Sequence, residues 1–198
     1  MRVLPYGERA LLAELDETAT VPGTRDSIAA LEGVIEAVAG ARTVLAVVDP
    51  GALNQVRVAL AGIEPTTTRH ADRDPVEVPV VYDGADLAEV AAEVGLSVDE
   101  VVSRHAAANY VVRFCGFSPG FAYLDGLDPR LHVARRAEPR TAVPAGSVAI
   151  AGEFTGVYPH PSPGGWRLLG RTAAVLWDVT RDPPALLAPG TPVRFVHS

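Results

Sequence analysis

Two rhythms of hydrophobic and polar positions share the first 115 residues, and only one persists beyond them. Ala10-Leu11-Leu12-Ala13-Glu14-Leu15 reads as a strand, and Thr24 to Leu31 as a short helix that Thr24 or Asp26 would cap. Between Gly33 and Gly40, the apolar Val34, Ile35 and Val38 suit either a continued helix or a strand. The flanking glycines and the β-branched-rich run Thr43 to Val48 favour a strand pair turning at Gly40-Ala41. Asp49-Pro50 ends that pair, and from Ala52 to Ala61 the residues Leu53, Val56 and Leu60 share one helical face. The expected product over residues 1–63 is a small β-β-α-β-β-α sandwich, ferredoxin-like in outline.

Residues 64–75 lack apolar periodicity and are bracketed by Pro65 and Pro75, the signature of a linker between domains. Past it, Val76 to Tyr82 alternates as a strand, and Leu87, Val90, Ala91 and Val94 recur at helical spacing up to a stop at Gly95. Ser97 with Glu100 makes a capping box for a second helix carrying Val101, Val102 and His105. From Tyr110 onward the segments are short, β-rich and punctuated, with 11 of the 17 Pro and 10 of the 18 Gly lying after Cys115. That pattern predicts a barrel or sandwich over residues 76–198, and hence an α+β chain of two dissimilar domains.

Charge adds a second asymmetry. The net −7 rules against nonspecific binding to nucleic acid or anionic membrane, which needs a basic face. Residues 1–105 carry 18 acids and 8 Arg, whereas residues 106–198 carry 6 acids and 9 Arg, so the second part is suited to anions. All 17 basic residues are Arg. A chain without Lys forms no Lys Schiff base, carries no biotinyl-Lys and has no Walker A phosphate grip. One cysteine, Cys115, precludes an intramolecular disulfide, no signal-like segment opens the chain, and no apolar run approaches a membrane span, so a cytoplasmic setting is expected.

Three segments are candidates for chemistry. Arg113-Phe114-Cys115-Gly116-Phe117-Ser118-Pro119-Gly120-Phe121-Ala122-Tyr123-Leu124 predicts a strand running into a tight turn with aromatic walls. Such a turn exposes N–H groups that hold an anion near Arg113, although a β-turn with core-packed aromatics has the same composition. Pro139 to Gly152 enters a strand irregularly through Pro144 and Gly146 and includes Ser147. Arg135, Arg136 and Arg140 precede or open it, and their guanidinium forks suit carboxylate or phosphate, the alternative being a solvated basic loop. Thr155 to Thr172, with Tyr158-Pro159-His160-Pro161-Ser162-Pro163-Gly164-Gly165-Trp166 within it, combines flexible glycines, a hydroxyl and a large π-face, as in a loop that closes on a ligand or a turn with a core-packed Trp. His105 with Glu100 or Ser103 could serve acid–base chemistry or simply pack against the barrel. The histidines and Cys115 lack zinc spacing, so no metal site is expected.

At these three segments the sequence resembles the PxpB/KipI family, also called allophanate hydrolase subunit 1 or carboxyltransferase subdomains C and D. Tyr6-Gly7-Glu8-Arg9-Ala10-Leu11 and Pro189-Gly190-Thr191-Pro192-Val193-Arg194-Phe195 extend the resemblance over essentially the whole chain. Ala41-Arg42-Thr43-Val44-Leu45 and Glu153-Phe154 depart from the usual pattern. The resemblance implies a cyclophilin-like β-barrel behind a small α/β domain. It also implies a non-autonomous subunit of an ATP-dependent 5-oxoprolinase, which opens 5-oxoproline to L-glutamate. The implied partners are a KipA/PxpC-type subunit, also called allophanate hydrolase subunit 2, and a PxpA-type subunit. An allophanate hydrolase or urea carboxylase-type role, or inhibition of a histidine kinase as by KipI, are the rival readings. Carried over position by position, the implied catalytic residues are His105, Arg113, Arg140 and Ser147. The implied substrate-binding residues are Phe117, Pro119, Gly120, Phe121, Tyr123, Pro144, Gly146, Tyr158, Ser162, Gly164, Gly165 and Trp166. Ser147 and Ser162 have no adjacent base in sequence and would position by hydrogen bonding rather than attack.

Overall fold

A computed structural model describes residues 1–67 and 74–198. The chain divides into two units, Met1–Ala71 and Asp72–Ser198. Of the expected linker 64–75, residues 68–73 lie outside the described residues.

The first unit follows the β-β-α-β-β-α order. Strands β1 (Arg2–Tyr6), β2 (Ala10–Glu14), β3 (Val34–Ala39) and β4 (Thr43–Val48) form an antiparallel sheet in the order β1-β2-β4-β3, with helices α1 (Val21–Ala29) and α2 (Leu53–Ala61). Val34–Ala39 is therefore strand, as the glycines and the β-branched partner predict. One apolar core joins Leu11 and Ala13 of β2, Val44, Ala46 and Val48 of β4, Ile28 of α1 and Val56 and Leu60 of α2. Helix α1 starts earlier than the sequence suggests. Pro22 occupies its first turn, where a missing N–H costs nothing, and Thr20 holds the cap position with its hydroxyl turned back to the Glu17 carbonyl at 2.7 Å rather than accepting from a helix amide. The proposed cap Thr24 lies fully buried inside the helix, where its hydroxyl accepts from the Thr66 amide at 3.3 Å.

In the second unit, β5 (Val76–Val80) leads to helices α3 (Leu87–Val94) and α4 (Val98–Ala107). Gly95 ends α3 in the left-handed conformation, and the Ser97/Glu100 capping box starts α4 with both reciprocal bonds formed. The strands that follow are β6 (Tyr110–Cys115), β7 (Ala122–Asp125), β8 (Arg140–Val143), β9 (Ser147–Ala151), β10 (Phe154–Val157), β11 (Ser162–Gly164), β12 (Arg167–Arg171) and β13 (Pro192–His197). Seven strands form one sheet in the order β12-β9-β10-β7-β6-β13-β5, while β8 and β11 pair separately.

The sheet closes on itself just beyond β5. Val81 and Arg171 exchange both backbone hydrogen bonds at 2.9 Å, and the Gly84 and Asp86 amides donate to Leu169 and Leu168 at 3.1 Å. The backbones meet here because Gly84 and Gly170 lack side chains: a Cβ on either would press into the opposing carbonyl. This nearly closed barrel, with α3 and α4 against it, is the expected cyclophilin-like architecture. Val78, Val112, Leu124, Ile150, Leu169 and Phe195 fill its interior, and Val90 and Val101 of the helices join the same core. Among the described residues no helix is long and apolar enough to cross a membrane.

Candidate functional site

The three sequence segments converge on an aromatic cluster at one side of the barrel. Phe121, Val143, Ala149, Tyr158, Trp166 and Leu168 are buried together, with Tyr123 and Phe154 packed on them. Phe121 is the hub, meeting Tyr123, Tyr158 and Trp166 edge to face at centroid distances of 5.1, 5.3 and 5.5 Å. Edge-to-face rings attract through their quadrupoles and hold one another at fixed angles, so the cluster is stiff.

A pocket of about 50 Å³ opens on this cluster, lined by Phe117, Phe121, Tyr123, Arg135, Tyr158, Pro163, Gly164, Gly165 and Trp166. Seven of these residues are among the predicted substrate-binding set. Phe117 forms the rim, 59% exposed, at φ +70°, a left-handed backbone that bulky side chains avoid. Its turn is fastened by the Ser118 amide donating to the Gly116 carbonyl at 2.8 Å and the Phe121 amide to the Ser118 carbonyl at 3.0 Å. Those amides, together with that of Gly116, are consumed inside the turn, so they do not form the expected anion cradle. Pro119 and Gly120 complete this turn without lining the pocket. Pro144 and Gly146 shape the entry to β9, where the Gly146 amide donates to the Tyr158 carbonyl at 2.7 Å.

Gly164 sets the floor. A Cβ there would lie against the Tyr158 hydroxyl inside contact distance, whereas a Cβ on Gly165 would reach the Arg136 carbonyl only at 3.6 Å. Gly164→Ala is expected to displace the buried Tyr158 ring and cost about 1–3 kcal/mol. Gly165→Ala should leave stability nearly unchanged. Chemical denaturation of both variants, followed by tryptophan emission, checks the contrast.

The four expected catalytic residues do not meet. His105 is fully buried in the barrel core, tilted against Phe195 at 4.7 Å between centroids and hydrogen-bonded to the Tyr82 hydroxyl at 2.8 Å and Thr155 Oγ1 at 2.9 Å. Desolvation lowers its pKa to about 3, so the ring is neutral, and both its hydrogen bonds run to side chains that do not line the aromatic pocket. Arg113 is 8% exposed on β6 and pairs with Asp125 of β7. Ser147 donates to the Pro144 carbonyl at 2.8 Å, and Ser162 Oγ is buried without a partner among the described residues. Ser147 thus fastens the entry to β9, and Ser162 lies on β11.

Arg140 belongs to a different knot. Asp86, 1% exposed at the start of α3, accepts two bonds from Arg140 at 2.9 and 2.7 Å, one from Arg136 at 2.9 Å and one from the Leu168 amide at 2.7 Å. Burial pushes its carboxyl up, but the Arg140 hydrogen bonds, the Leu168 amide and both guanidinium charges outweigh burial and hold it below the usual range. Sequence reasoning missed Asp86 altogether. No local signal marks it, because its partners lie 50 to 82 positions away. With Arg136 and Arg140 both committed to Asp86, the segment carrying Arg135 is pinned at two points, and the Arg136 amide adds a 2.7 Å bond to the Gly165 carbonyl.

Among the described residues, none of three clefts combines the room and the unpaired cationic groups needed by the ATP that the resemblance implies. The aromatic pocket is several-fold smaller than the roughly 300 Å³ at which drug-sized sites begin. A wider cleft beside α4 is lined by Glu100 and Asp128, with its Arg104 already paired to Asp128 at 2.8 Å. In another, Arg136 and Arg167 are neutralised by Asp86, Glu89 and Glu93. Among the described residues no group of three or more His, Cys, Asp or Glu side chains is placed to hold a metal ion.

Residues 1–187 match the family model described as carboxyltransferase domain, subdomain C and D. The chain is 42% identical to the 5-oxoprolinase B subunit of Escherichia coli O157:H7 over 96% of its own length and 93% of that protein's. It is 47% identical to the corresponding 5-oxoprolinase B subunit of Bacillus subtilis over 64% of its length, which spans about half (54%) of that relative. Among solved structures, TTHA0988 superposes with a TM-score of 0.81 at 35% identity, covering 96% of this chain but 40% of that one. The urea amidolyase of K. lactis superposes with a TM-score of 0.77 at 20% identity over 15% of its chain, a likeness that shows the fold alone.

Proposed function

Because the chain belongs to the carboxyltransferase subdomain C and D family, we propose that it is the B-type subunit of an ATP-dependent 5-oxoprolinase, inactive alone. The observation that supports this most is its 42% identity with a protein named as a 5-oxoprolinase B subunit, over nearly the full length of both chains. The pocket agrees with that reading in size and chemistry. A lactam ring is small and nearly flat, which suits aromatic walls, and it is a poor electrophile that needs activation before water attacks it.

In this proposal the chain's own residues bind and orient. Phe121, Tyr158 and Trp166 wall the ring and exclude water, and Phe117 closes the rim. Fixing the substrate in a reactive orientation lowers the barrier without any nucleophile from this chain. Nucleotide and any essential lysine are assigned to a KipA/PxpC-type partner, and water attack to a PxpA-type partner, in the cytoplasm. The assembled complex should turn over 5-oxoproline with ATP and leave allophanate and urea untouched. Preference for allophanate would replace the assignment with the carboxylase-type reading, and binding of a histidine kinase without a KipA-type partner would replace it with the inhibitor reading.

A further inference from the structure

We propose that Arg135, assisted by the phenol groups of Tyr123 and Tyr158, is the carboxylate anchor of the aromatic pocket, so that the pocket takes a small planar ring bearing one carboxylate. The inference rests on the lactam-substrate reading above and names the residue that would make the site specific within it.

Arg135 differs from the arginines around it. Arg136 and Arg140 are held by Asp86, Arg167 by Glu89 and Glu93, and Arg171 by Asp83. Arg135 alone of these five makes no ion pair among the described residues, and it lines the pocket. Its guanidinium carbon lies 5.9 Å from the centre of the Trp166 ring. A guanidinium over an indole face is attracted to the ring, and although Arg135 also hydrogen-bonds the Tyr123 hydroxyl, its five N–H donors leave a fork for the planar, two-oxygen geometry of a carboxylate.

The surroundings favour an anion over a cation or a neutral polar group. Burial pushes the Tyr123 and Tyr158 hydroxyls above their ordinary pKa, with Arg135 opposing that rise in both, so both phenols remain protonated donors at neutral pH. No carboxylate lines the pocket to repel a second one. Arg135 is also preorganised: the neighbouring Arg136 is fastened through its side chain to Asp86 and through its amide to Gly165, so little backbone freedom is lost on binding. Finally, about 50 Å³ of aromatic-walled space admits a single ring and leaves its substituent at the mouth, where Arg135 stands.

The test is a ligand titration of the full chain. Trp177→Phe leaves Trp166 as the only tryptophan, so its emission reports the pocket directly. 5-Oxoproline should quench or enhance this emission saturably, and Arg135→Gln should weaken its affinity at least tenfold, as expected for loss of a charge-assisted pair. Pyrrolidin-2-one, the same ring without the carboxylate, should bind weakly and equally to both proteins. Arg135→Lys should recover only part of the loss, since charge returns without the fork. The proposal is overturned by no saturable response to 5-oxoproline, by an unchanged affinity in Arg135→Gln, or by an equal loss for pyrrolidin-2-one. Because the readout is binding, it separates from the subunit assignment. A complex that hydrolyses 5-oxoproline with an unaltered KM in Arg135→Gln keeps the assignment and removes the anchor, and an inactive complex with intact binding does the reverse.

Discussion

Replacing Asp86 by alanine is expected to lower the stability of the second unit by about 3–5 kcal/mol, the range for removing one partner of a buried charge cluster. Four hydrogen bonds converge on this carboxylate from three residues: Arg136 before β8, Arg140 at its start, and the Leu168 amide of β12. Its loss leaves two guanidinium groups facing each other and a buried amide with no acceptor, and it releases the seam where the chain after β5 meets β12. Asp86→Asn should cost less, because the amide oxygen still accepts from Leu168 while the ionic attraction disappears. The same carboxylate gives acid sensitivity of known sign. Its folded pKa lies below the ordinary value of about 3.9, so its contribution is complete above that value and is lost as the pH falls toward the depressed folded one. Urea unfolding of both variants at neutral pH measures the difference. A change under about 1 kcal/mol in Asp86→Ala, well short of the buried-pair range, would show that the knot is dispensable.

His105 produces the second large effect, at milder acidity. Its folded pKa of about 3 lies well below the roughly 6.5 of an unfolded chain, so the unfolded state binds the extra proton. Stability contributed by the neutral ring is whole above about pH 6.5 and falls by about 1.4 kcal/mol per pH unit below it, until the folded ring itself titrates. About 2–3 kcal/mol should therefore be lost by about pH 4.5, before Asp86 contributes. His105→Gln can keep a hydrogen bond to Tyr82 or Thr155 but cannot titrate. That variant should be less stable than the parent near neutral pH and lose much less between about pH 6.5 and 4.5. Parallel slopes for the two proteins would place the acid-sensitive group elsewhere.

Both effects come from contacts that sequence order conceals. What was legible was local or repeated. The Gly95 stop and the Ser97/Glu100 box are settled within four residues, and their helices begin and end there. The strand assignment at 33–40 followed from flanking glycines and a β-branched neighbour just beyond the turn. The aromatic pocket was legible because its residues crowd into segments whose turns force them together: Phe117, Phe121 and Tyr123 in one, Tyr158, Gly164, Gly165 and Trp166 in the other.

The charged residues were harder to read, for a physical reason. A guanidinium is a ligand for substrate only if no carboxylate of the chain already occupies it, and those carboxylates lie far off in sequence. Arg140 is taken by Asp86, 54 positions earlier, and Arg113 by Asp125 across the β6–β7 pair. Among the described residues the nearby Arg135 escapes this neutralisation, and it reaches the pocket. Arg135, Arg136 and Arg140 look alike in sequence, and only the packed barrel separates the free one from the two that fasten it. His105 is similar: a histidine on a helix face reads as core or as base until burial decides, and here Tyr82, Tyr110 and Phe195 surround it.

The absence of lysine links these points to the proposed role. Permanently charged, planar arginines fasten this unit, and in the proposed assignment one of them orients the substrate carboxylate while the activation of the lactam by ATP falls to a partner. The most direct test is ATP-dependent formation of glutamate from 5-oxoproline by purified KipA/PxpC-type and PxpA-type subunits, with and without this chain. No glutamate above background is expected without it, turnover when it is added, and none from the chain alone. Equal glutamate formation in its absence would contradict its assignment to the enzyme.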